Sequence, residues 1–112
     1  MPALALQTVV EEQLAKARAA SAGRAAETIS GDHSRLMRQT VVAIVAGKDL
    51  SEHENPGEAT LYVIAGTVEL HAGDEQLTLR AGEFTDIPQH RHSLHAVEDS
   101  AVLLTAVHLP RE

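Results

Sequence analysis

Near the start of the chain the apolar positions recur at helical spacing. Val9, Val10, Leu14 and Ala17 fall on one stripe, with good helix formers between them. Thr8 followed three residues later by Glu11 has the form of a capping box, and Gly23 is a stop signal, so the pattern predicts a helix over about 8–21. Its apolar face is narrow and rich in Ala, which suits packing on something larger. After Gly23 the pattern shifts to short β-rich runs: Ala25–Ile29, Gln39–Val45, Leu61–Ile64, Thr67–His71, Gln76–Leu79, Glu83–Ile87, His92–Val97 and Ala101–His108. Turn formers separate them, among them Asn55-Pro56-Gly57, Gly66, Gly73-Asp74, Ala81-Gly82 and Pro88. About eight short strands spaced roughly ten residues apart predict an antiparallel barrel or sandwich and not a βαβ fold.

Composition narrows this picture. The 112 residues fit one domain, residues 1–112, and 44% apolar content is that of an ordinary globular protein. Aromatics are only 2% of the chain, so the core must be aliphatic: Val42, Ile44, Leu61, Val63, Val68, Leu70, Leu77, Leu79, Ile87, Leu94, Val102 and Leu104 are its expected members. There is no Cys, which excludes a disulfide scaffold and thiolate chemistry and fits a reducing cytoplasm. Residues 1–50 carry 6 basic and 5 acidic side chains (+1) and residues 51–112 carry 3 and 11 (−8), together the net charge of −7. Nucleic-acid binding needs a basic footprint, which the acidic half opposes. No apolar run approaches the ~20 residues of a membrane helix, and the N-terminus lacks the form of a signal peptide. A cytoplasmic protein with no nucleic-acid or membrane partner is the expectation. Dinucleotide fingerprints, phosphate loops and nucleophile elbows are missing from the sequence.

Two stretches carry candidate chemistry: Gly47-KDLSE-His53-E-Asn55-PGEATLYVIA-Gly66 and Gly82-EFTDI-Pro88-QHR-His92. Together they resemble the two motifs of the cupin family. The first family motif runs G, five residues, H-x-H, three or four residues, E, six residues, G; the second runs G, five residues, P-x-G-x-x-H, three residues, N. Gly47 to His53 and Gly82 to Pro88 keep the family spacing, and Gly66 closes the first motif. The resemblance covers about residues 39–109. It implies an all-β fold, a double-stranded β-helix (jelly-roll) barrel carrying one N-terminal α-helix, and a small homodimer with residues 1–45 at the interface. The chain also departs from the family pattern. Asn55 stands where the second His belongs, Ala59 where the metal Glu belongs with Glu58 one residue early, His90 replaces a Gly, the second motif is one residue short, and Ala96 replaces the final Asn.

Carried over residue by residue, the resemblance implies His53 and His92 as metal ligands. Inward side chains from different strands of a barrel converge on one lumen, and two imidazoles there with a third donor would suit Zn²⁺, Ni²⁺, Fe²⁺ or Mn²⁺. His90, two residues from His92, is the first candidate third ligand; Glu58, where Pro56-Gly57 can reset strand parity, and Asn55 are the alternatives. If His92 points inward, alternation puts Leu94 and Ala96 inward and Ser93 and His95 outward; His71, His33 and His108 read as surface residues. The expected function is the binding of a small molecule, apolar or neutral because an acidic one would meet the −8 half, with a divalent metal in the lumen. A metal-dependent enzyme of dioxygenase or isomerase type and a metal-free binding or structural dimer are the alternatives; the fold does not choose among them.

Overall fold

The computed structural model describes residues 2–53 and 57–108, with the backbone but not the side chains of residues 52 and 53. Among these residues one helix, α1 (Leu6–Ala19), precedes nine strands: β1 (Arg24–Ser30), β2 (Met37–Ile44), β3 (Asp49–His53), β4 (Gly57–Ala65), β5 (Thr67–Ala72), β6 (Glu75–Arg80), β7 (Phe84–Asp86), β8 (His92–Ala96) and β9 (Ser100–His108). They form two sheets, ordered β1-β2-β9-β4-β7 and β3-β8-β5-β6, with every pairing antiparallel. From β2 to β9 the chain passes back and forth between the sheets, so the two close face to face as a jelly roll.

Alternation of side chains along each strand builds the core. In β4 the even–odd pattern puts Ala59, Leu61 and Val63 inside and Glu58 and Tyr62 outside. Val42, Ile44, Val68, Leu70, Leu79, Ile87, Leu94, Ala96 and Val102 join the inner set, and Leu104 packs against it half-buried. The expected core is therefore the observed one, with one correction. Leu77 shares the inward parity of Leu79 but is 46% exposed, because β6 is a sheet edge and the opposite sheet does not extend over that end.

The helix covers the outer face of the larger sheet. Val9 and Val10 meet Val41 and Ala101, with Leu6, Leu14, Ile29, Ile64 and Leu103 around them. Gln13 is also buried there, and its Nε2 donates to Glu27 Oε1 at 3.2 Å. The helix starts about half a turn earlier than its sequence suggests: Ala5 is the N-cap, no side chain caps it, and the Thr8 amide donates to Ala5 O. Packing of Leu6 on the sheet draws the helix upstream of the Thr8–Glu11 box. At its far end Arg18 Nε donates to Asp99 Oδ2 at 2.9 Å, and the other carboxylate oxygen accepts the Ala46 N–H at 2.9 Å. These two donors, the Ala46 amide first, hold the Asp99 carboxyl below its ordinary pKa.

The strand that sequence pattern does not show is β3. Its residues, DLSEH, offer one apolar side chain, Leu50, which packs on the core. A short polar edge strand has no alternation to read, yet this one carries His53.

Candidate functional site

The inner faces of the two sheets leave a small cavity, whose lining among the described residues is Val42, Leu50, Leu61, Leu70, Ile87, His92, Leu94, Val102 and Leu104. Its volume is about 10 Å³, room for one water-sized or ion-sized occupant. Among the described residues every lining side chain is aliphatic except His92, which is 3% exposed.

Local structure fixes that imidazole. The Ile87 amide donates to Ala59 O at 2.9 Å and Gln89 Nε2 donates to Gly57 O at 2.9 Å, tying the segment before β8 to the start of β4. The chain then enters β8 with His92, Leu94 and Ala96 inward and Ser93 and His95 outward. His92 Nδ1 lies 3.0 Å from His90 O. A carbonyl only accepts, so Nδ1 carries the hydrogen and Nε2 holds the lone pair in the neutral ring. Backbone carbonyls orient metal-binding imidazoles in this way.

The other sequence candidates are placed differently. His53 is the register partner of His92 across β3 and β8, so the two backbones are neighbours. Asn55 lies outside the described residues. Glu58 is exposed on the outer face of the larger sheet, opposite Val107; Gly57 does not reset the strand's parity, and the one-residue displacement from the family position turns the carboxylate away from the lumen. His90 is exposed in the bend before β8, where the chain is not yet extended, so its two-residue spacing from His92 does not put both rings on one face. Among the described residues no three His, Asp or Glu side chains gather in a way that would hold a metal ion.

Outside the lumen, the outer face of the smaller sheet carries a polar patch. His95 Nδ1 is hydrogen-bonded to Asp49 Oδ1, and His71 Nε2 lies 3.5 Å from Glu69 Oε1, with Ser51 and Ser93 beside them. His71 and His95 are outward, as alternation predicts.

An antiparallel jelly-roll barrel with a buried, carbonyl-oriented imidazole in an aliphatic lumen defines a class of small β-barrel domains. The family model described as Cupin domain matches residues 40–108. The chain belongs to the cupin family. Solved structures agree on the fold. A conserved protein of unknown function, SPY1581 from Streptococcus pyogenes, is 22% identical with a TM-score of 0.72, covering 82% of this chain and 80% of that one. KdgF from a Halomonas species is 22% identical with a TM-score of 0.64, covering 80% of each chain. A salicylate 1,2-dioxygenase variant from Pseudoaminobacter salicylatoxidans is 17% identical with a TM-score of 0.75, covering 89% of this chain but 32% of that enzyme. No curated protein matches the sequence. No helix of the described residues is long and apolar enough to cross a membrane.

Proposed function

We propose that this protein is a cytoplasmic, homodimeric small-molecule binder that holds one divalent transition metal in its lumen through His53 and His92. The observation that carries the reading is the pairing of His53 with His92 across β3 and β8, where His92 is buried and its Nδ1 is engaged by His90 O. That donor chemistry fits a borderline metal such as Zn²⁺, Ni²⁺, Fe²⁺ or Mn²⁺, for which neutral imidazole is a favoured ligand. Asn55 is the third protein donor in this reading, since Glu58 and His90 sit outside the lumen. A bound metal would supply a Lewis-acidic centre; the protein supplies a dry aliphatic wall that orients an uncharged ligand beside it.

Binding is preferred to catalysis because the described lining offers no side chain besides His92 that could move a proton. The dimer is supported by exposed apolar side chains: Tyr62 and Phe84 are register partners, 39% and 59% exposed, Met37 begins β2 and Leu36 immediately precedes it.

Elemental analysis of untagged protein tests the metal. About one equivalent per chain, lost in both His53→Ala and His92→Ala, is the expected result. Substoichiometric metal in the parent, or metal unaffected by either change, overturns it. Light scattering after size exclusion tests the dimer, which a purely monomeric peak at micromolar concentration refutes.

A further inference from the structure

Where β6 ends the smaller sheet and β7 ends the larger one, the two free edges stand apart and leave a groove of about 350 Å³. That is within the usual range of small-molecule sites, roughly 300–1,000 Å³. Leu70, Ala72, Leu77 and Pro88 provide its apolar surface, and Glu75 and Asp86 are the charged groups that line it. Leu70 also lines the lumen with His92, so the groove and the interior cavity share a side chain.

Two features of this groove ask for an occupant. Leu77, which by parity belongs to the core, stands 46% exposed in it. Glu75 and Asp86 are both exposed, and neither carboxylate forms an ion pair or side-chain hydrogen bond among the described residues. Among the described residues no Lys or Arg lines the groove to neutralise them. The surrounding half of the chain has a charge balance of 3 − 11 = −8, and a cleft walled by one sign of charge concentrates counter-ions of the other.

We propose that the β6–β7 groove binds a small organic cation, a primary ammonium group attached to an apolar chain. The ammonium lies between Glu75 and Asp86, and the chain runs over Leu77 towards Leu70. The inference rests on reading the protein as a small-molecule binder and not on the lumen metal, so the metal assay and the binding assay fail separately.

Titration of the full-length protein with n-hexylamine, hexan-1-ol and hexanoate at equal ionic strength tests it, followed by methyl NMR of the Leu and Ala residues. Hexylammonium is expected to shift the Leu70, Ala72 and Leu77 methyls and to bind about tenfold or more tightly than hexanoate. In the Glu75→Gln/Asp86→Asn double variant that preference should shrink to about threefold or less, while hexanol binding stays unchanged. His92→Ala should keep the preference even where it loses metal. Equal binding of amine and carboxylate, shifts confined to methyls outside the groove, no amine binding at millimolar concentration, or a preference that survives in the double variant each overturn the proposal.

Discussion

Replacing Gly66 by Ala should destabilise the barrel far more than the same change at Gly73. Both glycines have positive φ, +83° and +59°. A Cβ in that region costs about 1–2 kcal/mol, of which roughly 0.4–1 kcal/mol is returned because Ala restricts the unfolded chain. At Gly73 nothing lies within 4 Å of the added carbon, so the net change should be about 1 kcal/mol or less. At Gly66 the Cβ would come closer than 3.0 Å to Ser100 Oγ, Asp99 O and Ser100 Cα. Two of those atoms are backbone and cannot rotate away. Ser100 is itself fixed: its Oγ accepts the Thr67 N–H at 3.0 Å and is within donating distance of Glu98 O and Thr67 O. Overpacking of this kind adds about 1–3 kcal/mol, for a net loss of about 2–4 kcal/mol. With a urea m-value of about 1.5 kcal/mol/M, the midpoint for Gly66→Ala should fall by about 1.3–2.7 M, and that for Gly73→Ala by under about 0.7 M. Far-UV circular dichroism reads both. Equal losses in the two variants would show that backbone conformation, and not the close approach of Gly66 to Ser100, sets the requirement for glycine.

Acid should expose the Asp99 clamp. Its folded pKa lies below the unfolded value, so its contribution is complete above about pH 4 and is lost as pH falls through the lowered value. Between pH 4.5 and 2.5 the urea midpoint should therefore fall more in the parent than in Asp99→Asn, by the equivalent of about 1 kcal/mol or less since the pair is exposed; parallel curves would refute the clamp. Leu79→Ala should cost about 2–4 kcal/mol and Leu77→Ala under about 1 kcal/mol, although the two share a strand and a parity, because only Leu79 is enclosed. Chemical denaturation of the pair measures this, and equal losses would mean the β6–β7 groove is closed in solution.

Most of the barrel is legible in the sequence because its strands alternate cleanly: Leu61 and Val63 against Tyr62, and His92, Leu94 and Ala96 against Ser93 and His95. Legibility ends where the period ends. The single apolar residue of β3 gives no alternation, so the strand that carries His53 escapes notice although the residue itself stands out by motif spacing. Glu58 and His90 show the same limit at the site. Spacing along the chain brings each near a ligand position, but the side a residue faces depends on the strand around it: alternation within β4 turns Glu58 outward, and His90 precedes the extended backbone of β8. The groove is invisible in sequence for a further reason. It is a gap between edges that meet only in three dimensions, and its sole trace is a leucine of core parity left in the open.

The position of β9 has a consequence for how the protein is made. This strand pairs with β2 on one side and β4 on the other, so among the described residues it joins the β1-β2 and β4-β7 halves of the larger sheet. In chain order it also follows the other described strands. During synthesis β2 and β4 must wait with open edges until β9 has emerged, and the pairing of Val42 with Val102 closes across about sixty residues. Pairing over such separations is slow, and exposed edges invite association with other chains meanwhile. A chain stopped short of Ser100 is not a trimmed barrel but two unjoined half-sheets, with the facing edges of β2 and β4 left open to other chains.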